Sequence, residues 1–465
     1  MYERGRAPTV SGVCMERVTI VGGGLAGSEC ALSLSRRGVA VRLYEMRPEV
    51  SSPAHHTGKF AELVCSNSLK SLREDSAAGL LKHELLYMGS SLLPLALQAR
   101  VPAGGALAVD RDVFSDLVTS AIEAEPLIEV VHQEVRELPE GPCVIAAGPL
   151  CSDALFQVLS DTIGASSLSF FDAAAPIVDA ATIDRSVVFA QSRYGEEGAG
   201  DYLNCPMDRE EYDRFMTELL GARRVIGKDF EQKDLFSACQ PVEEVARTGH
   251  DSLRFGALKP VGLTDPRTGR RPWAAVQLRA ENAARTAYNL VGFQTNLAWG
   301  EQKRVFSLIP GLEHAEFFRY GVMHRNSFVD TPRVLDRTFR LPGTSIRLAG
   351  QITGTEGYTE AIASGLIAAL NTYADLRGLP AVDLPRTGAF GSLVAYATDP
   401  LTSPYQPMHV NFGLVPPLDG GRMKKKERYA AYAKRARRDL EDYVTARGDL
   451  FDGLTGPWPT DEDLQ

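Results

Sequence analysis

Three glycines, one glutamate and two cysteines carry the chemistry that can be read from this chain. Gly22, Gly24 and Gly27 stand at G-x-G-x-x-G spacing within Gly22-Gly23-Gly24-Leu25-Ala26-Gly27. A β-branched run from Arg17 to Val21 enters this turn, and an apolar helical run leaves it. A second strand pattern from Val39 ends on Glu45. This is the dinucleotide fingerprint in its required context. The first glycine permits the tight turn, the second lets backbone approach a pyrophosphate, and the third lets helix and strand pack closely. The helix N-terminus offers N–H groups and partial positive charge to phosphate, and Glu45 can accept from a ribose hydroxyl. Cys65 and Cys239 lie in loops with polar neighbours, Val64-Cys65-Ser66-Asn67 and Ser237-Ala238-Cys239-Gln240. Loop thiols near a helix start or a cation can ionise and act as nucleophiles.

The other cysteines read differently. Cys30 falls inside the first helical run and Cys143 inside a strand pattern, which suits small buried hydrophobes. Cys205 precedes Pro206 and reads as a loop residue. Cys14 belongs to a segment, residues 1–14, that reads as an unstructured extension without the apolar core of a signal peptide. With seven scattered cysteines and no C-x-x-C pair, reduced thiols in a cytoplasm are expected and no metal site is suggested.

The elements that must position these groups come in two units of one kind. A second strand–glycine loop–helix unit follows far downstream. Ser345 to Ala349 lead into Gly350-Gln351-Ile352-Thr353-Gly354-Thr355-Glu356-Gly357-Tyr358 and then a small-residue helix that Gly378 and Pro380 end. In flavin disulfide-reductase-type folds such a unit returns to the first domain and points a helix at the flavin ring. FAD is therefore expected over NAD as the tightly bound cofactor, held by Gly22–Gly27, Glu45, Gly350, Gly354, Gly357 and Tyr358. Between the units the texture changes to strand-like and loop segments rich in aromatics and prolines. The expected fold is α/β: a Rossmann-like FAD-binding domain of the glutathione-reductase type, residues 15–150 and 316–420, with an inserted α+β substrate domain, 151–315. Helical patterning is expected from Ala77 to Leu97 and at about 112–124, and a strand over 127–138. Residues 421–465 read as a basic helix and tail, with Lys424, Lys425, Lys426, Arg428, Lys434 and Arg435 interleaved with Tyr429 and Tyr432.

The 50 basic and 59 acidic residues leave a net charge of −9. Binding nucleic acid through overall charge is excluded, although a local basic patch is not. No apolar run reaches the ~18 residues that span a bilayer.

Several long stretches carry a resemblance. Gly22-Gly23-Gly24-Leu25-Ala26-Gly27-Ser28-Glu29, Glu62-Leu63-Val64-Cys65-Ser66-Asn67-Ser68-Leu69, Pro102 to Asp110, Asp201-Tyr202-Leu203-Asn204-Cys205-Pro206-Met207 and Arg319-Tyr320-Gly321-Val322-Met323-His324-Arg325-Asn326 resemble the folate- and FAD-dependent tRNA (uracil-5-)-methyltransferase family, TrmFO. The likeness runs from about Met15 to Pro417. It implies transfer of a one-carbon unit from 5,10-methylenetetrahydrofolate, reduced with flavin and NAD(P)H, to C5 of a T-loop uridine in tRNA. By the same resemblance Cys239 matches the nucleophile and Cys65 the flavin-proximal thiol. Tyr358 is placed to touch the flavin or folate ring. His324, Arg325 and Asn326 would contact folate glutamate or RNA phosphate, and Lys259 either substrate. No stable protein partner is implied. The residues alone leave open a wobble-uridine-modifying flavoprotein relative and a plain NAD(P)H-dependent flavin oxidoreductase.

Overall fold

In the computed structural model the described residues are 17–52, 54–163, 168–173, 175–193, 200–225, 240–282, 284–321, 323–403, 405–419 and 423–464, with backbone alone for 168–173 and 323–327. Cys14, Cys239 and residues 1–14 lie outside them, as do the side chains of His324, Arg325 and Asn326.

The run Arg17–Val21 forms the central strand of a five-stranded parallel sheet. Ala40–Glu45 and Ile128–His132 lie on one side of it, Cys143–Ile145 and Ile346–Leu348 on the other. Strands covered on both faces must be apolar throughout, and Val18, Ile20, Leu43, Val144, Ile145 and Leu348 are fully buried. The chain reverses its direction of travel across the sheet beside the first strand. Such a switch point opens a crevice at the carboxyl ends of the strands, here after Val21, Glu45, Ile145 and Leu348.

The helices Leu25–Ser35 and Tyr358–Arg377 pack on this sheet with their backbones nearly touching. A Cβ at Gly365 would lie 2.2 Å from the Ala26 carbonyl oxygen. That approach explains why the second helix is rich in Ala, Ser and Gly. Replacing Gly365 by Ala must push the helices apart.

The expected single helix from Ala77 to Leu97 is two, Ala77–Tyr87 and Leu92–Gln98. Gly89 breaks it at φ +83. The buried carboxylate of Glu29 then takes the Ser90 hydroxyl at 2.9 Å and the backbone N–H groups of Ser91 and Leu92 at 2.8 Å. It supplies the acceptors that a new helix start requires. The strand expected over 127–138 stops at His132, and Gln133–Val135 instead pass over the crevice.

A six-stranded antiparallel sheet holds a second core. Its strands run in the order Phe189–Ala190, Tyr202–Met207, Ala274–Ala280, Ala287–Leu290, Ile177–Asp179 and Phe317–Arg319. One face buries Leu203, Met207, Val276, Leu278 and Leu290 against Tyr212, Phe215 and Phe306. Cys205 is in this core, fully buried in a strand and not in a loop. Pro206 misleads at that point. It is tolerated because the neighbouring strand Phe189–Ala190 pairs only as far as Asn204, leaving an edge where a missing N–H costs nothing.

Met323–Phe328 pairs with Leu168–Ala173 in a two-stranded ribbon. The ribbon carries the chain between the two sheets in both directions. His324, Arg325 and Asn326 lie in it, opposite Asp172, Phe171 and Phe170. The basic helix Lys425–Ala446 buries Tyr432, Ala436, Leu440 and Val444 against the first core. The tail beyond it folds back, with the Trp458 indole donating to Glu74 at 2.9 Å. Among the described residues no helix is long and apolar enough to cross a membrane.

We expect Gly365→Ala to cost about 1–3 kcal/mol through overpacking, seen as a lower urea midpoint at unchanged m-value. Gly221→Ala, where a Cβ would meet nothing within 4 Å, serves as the neutral control.

Candidate functional site

The crevice encloses about 950 Å³, part of it open to solvent, within the range of roughly 300–1,000 Å³ typical of cofactor sites. It is lined by Val21–Ala26, Tyr44–Arg47, Ala146–Ser152, Gly350, Gln351, Tyr358 and Ala361, among others. The glycine turn is built as its spacing demands. Gly22 has φ +104, and a Cβ there would lie 2.6 Å from the Ala146 oxygen. A Cβ at Gly27 would lie 1.8 Å from the Gly22 oxygen. At Gly24 a Cβ would meet nothing within 4 Å, so the backbone there is open to approach. Leu25, Ala26 and Gly27 open the first helix with N–H groups that no side chain caps. Gly350 and Gly357 both have positive φ and frame the second loop, and Gly354 closes its single 3₁₀ turn against Tyr405. The residues therefore fit a dinucleotide whose pyrophosphate lies on the first turn, and a ring system against the second.

Glu45 accepts from the Gly23 N–H at 2.8 Å and from three donors of Arg47, its backbone N–H, Nε and Nη2, at 3.0, 2.9 and 3.2 Å. Arg47, 2% exposed, also reaches Glu62 at 3.0 Å. Burial alone would raise the Glu45 pKa. The Arg47 hydrogen bonds and charge and the Gly23 N–H outweigh it and hold the carboxyl below its ordinary value. In Glu62 burial is likewise outweighed, by N–H donors from His56 and Thr57 and the Thr57 hydroxyl. Sequence reasoning gave Arg47 and Glu62 no role. Their signal, an acid–base–acid set around the end of a strand, becomes visible only once the loop folds back. Beside them His55 bonds Ser52 at 2.6 Å, and burial followed by the Arg47 charge lowers its pKa to about 4.

Tyr358, first residue of the second helix, lines the crevice with its ring buried. Its hydroxyl accepts from the backbone N–H groups of Cys65 at 2.8 Å and Ser66 at 3.2 Å. From the other side the Cys65 carbonyl accepts from Arg111 and from Arg319, each at 3.4 Å. Arg111 is paired with Glu281 at 2.7 Å. Buried Asn67 accepts from Arg279 at 2.8 Å and donates to the carbonyls of Val109 and Ala280 at 3.1 and 3.0 Å. The cysteine loop is thus clamped between the flavin-type domain and the six-stranded sheet. Sequence reasoning missed Arg111, Arg279, Glu281 and the clamp role of Arg319, because only strand register brings them together.

Lys259 lies elsewhere. It lines a cavity with Arg209, Arg254 and Trp273 at the Met207 end of the second sheet, while Arg279 at the other end of its strand meets Asn67. Cys151, not singled out by its sequence context, lines the crevice. Burial pushes its thiol up to about 12, so it stays protonated near neutrality. Burial pushes Cys143 up to about 12 and Cys30 and Cys205 higher still.

The titration directions agree. Carboxyl groups with lowered pKa stabilise the fold above their unfolded values and lose that contribution as pH falls through the folded ones. A histidine with lowered pKa binds a proton more readily unfolded, so its burial also destabilises as pH falls from about 6.5 toward 4. We expect the melting temperature to fall between pH 7 and 5. Asn at position 55, His55→Asn, should flatten that slope, measured by thermal unfolding at fixed ionic strength.

The comparisons bear on this site. Residues 17–380 match the model of the family described as glucose inhibited division protein A. A curated relative from Geobacter sulfurreducens, named methylenetetrahydrofolate–tRNA-(uracil-5-)-methyltransferase TrmFO, is 55% identical over 430 residues, covering 92% of this chain and 98% of its own. One of the same name from Moorella thermoacetica is 52% identical over 423 residues, covering 90% and 97%. Aquifex aeolicus GidA superposes with a TM-score of 0.66 at 15% identity, over 94% of this chain and 76% of that one, a likeness of fold. With relatives this similar along nearly the whole length, the chain belongs to the TrmFO family.

Proposed function

We propose that the protein transfers a one-carbon unit from 5,10-methylenetetrahydrofolate to C5 of a T-loop uridine in tRNA, with NAD(P)H as reductant. The observation that carries this reading is the Cys65 backbone held on Tyr358, a residue of the cofactor crevice. The relatives' printed names supply the substrates.

Gly22–Gly27 and the start of the first helix would hold the FAD pyrophosphate, and the 350–358 loop its ring. When bound, FAD supplies a carrier of reducing equivalents beside the one-carbon donor. The chain's own residues do the rest. Uracil C5 is a poor nucleophile until a thiolate adds at C6 and converts the ring to an enolate. That thiolate is assigned to Cys239, which lies outside the described residues, on the strength of the resemblance. After C5 has gained its carbon, a base removes the C5 proton and the C6–sulfur bond breaks, restoring the aromatic ring. The methylene group must also gain a hydride to become methyl, so the folate leaves as tetrahydrofolate and NAD(P)H is oxidised. Tyr358, Arg111 and Arg319 fix the Cys65 loop within this arrangement. The crevice residues exclude water from one side, and the second sheet covers the other.

Cys239→Ala should lower folate-to-RNA label transfer at least about a thousandfold, the scale on which loss of a covalent nucleophile registers, while flavin still copurifies. Wild-type transfer in that variant removes Cys239 from the role. Tyr358→Phe leaves two N–H groups without their acceptor, at a cost of about 1–3 kcal/mol. Label transfer should then fall more than flavin content, read by absorbance and by labelled product side by side.

A further inference from the structure

The second sheet carries one cross-strand row that spans five strands: Tyr202 opposite Arg279, Arg279 opposite Asn289, Asn289 opposite Ile177, and Ile177 opposite Arg319. Directly opposed residues share a face. This is the face turned away from the sheet's own core and toward the cysteine loop. Arg279 bonds Asn67, Arg319 bonds the Cys65 carbonyl, and the Tyr202 hydroxyl bonds the Ala103 carbonyl at 3.1 Å. Arg319 owes its place to an irregularity. Phe317 opposes Val178, and the register slips before Arg319 opposes Ile177. Without that bulge Phe317 and Arg319 would share a face. With it, Phe317 packs on the core while Arg319 turns to Cys65.

Two atoms of this row stand out. Asn289 is 2% exposed, and its Oδ1 is buried without a hydrogen-bond partner among the described residues. The Nε of Arg319 is in the same condition. Buried polar atoms are nearly always satisfied. A buried acceptor flanked by two guanidiniums, on a face aimed at a reactive loop, is a recognition set lacking its counterpart.

The order of the set identifies that counterpart. Arg279 donates, Asn289 Oδ1 accepts, and Arg319 donates. The complement is an edge reading acceptor, donor, acceptor, which is the imide edge of uracil: carbonyl, N3–H, carbonyl. A pterin edge presents one carbonyl and two adjacent N–H donors and would meet a guanidinium where it needs an acceptor. We propose that Asn289, flanked by Arg279 and Arg319, reads the imide edge of the target uracil, with Asn289 Oδ1 accepting from N3–H. The assignment rests on the uracil-methyltransferase reading above. It adds a chemical consequence: negative charge that builds on the uracil carbonyls when a thiolate adds at C6 would face guanidinium donors already in place.

The test compares a T-loop RNA bearing uridine at the target with the same RNA bearing 3-methyluridine, in which N3–H is gone. A site built to bond an N–H rejects its analogue by roughly 10⁴-fold or more, so the wild type should methylate only the first. Asn289→Leu, similar in size but without an acceptor, should bring the ratio of kcat/KM values to within about tenfold. Asn289→Asp keeps an acceptor and should retain most of the discrimination. Copurified flavin confirms the fold of each variant. An unchanged ratio in Asn289→Leu, with both substrates slowed alike, overturns the edge reading and leaves the methyltransferase reading intact. Equal methylation of both RNAs by the wild type overturns it also. No labelled product from wild type on uridine RNA overturns the functional reading itself, and this inference with it.

Discussion

The Tyr358 hydroxyl is the point on which the site depends. It begins the helix whose N-terminus faces the flavin-type crevice, and it holds the two N–H groups that fix the turn at Cys65. A phenol serves well here. Its ring fills apolar space beside the cofactor while its oxygen, kept protonated by burial and then by the neighbouring Cys65, accepts two hydrogen bonds. The helix it starts is in turn fixed by backbone contact with the first helix at Gly365 and Ala26. A displacement of a few tenths of an ångström at that crossing would be carried to the thiol loop, because nothing compressible lies between.

From the other direction the loop is held by arginines. Burial lowers the pKa of Arg279 and of Arg319, but guanidinium remains charged. Among the carboxylates facing them only Glu281 supplies compensation, and it is paired with Arg111. Burying cations that carboxylates do not fully balance is costly, and a core of similar volume made of Leu and Met would be more stable. The arrangement is understandable if positive potential at the loop is what the reaction uses. The acidic whole and the basic centre are then consistent: net charge governs distant encounters, whereas catalysis feels the field within a few ångströms.

How much of this was legible in the sequence follows from how far apart the cooperating residues lie along the chain. The glycine turn was readable because Gly22, Gly24, Gly27 and Glu45 belong to one strand–turn–helix–strand unit, where spacing dictates geometry. The second loop was readable for the same reason. Cys205 was misread because Pro206 signals a loop, and only the short neighbouring strand explains how a strand tolerates it. Gly89 was passed over as a helix break because the acceptor that caps the next helix, Glu29, comes from a distant element. Arg279, Asn289 and Arg319 carried no local signal at all, since they meet only through strand pairing, and one of them only through a bulge.

That contrast separates two kinds of residue in this fold. The dinucleotide turn is set by steric limits on backbone that any protein binding a pyrophosphate must respect, so it announces a cofactor and says little about the reaction. The residues that choose the reaction sit on an antiparallel sheet whose register could slide by one and turn every side chain over. Here the slide is prevented by the second core, since Leu203, Val276, Leu278 and Leu290 must stay inside. The apolar face of that sheet thereby fixes the polar face to its exact partner strands. What reads as ordinary core packing beneath Arg279 and Asn289 is also what aims them at Cys65.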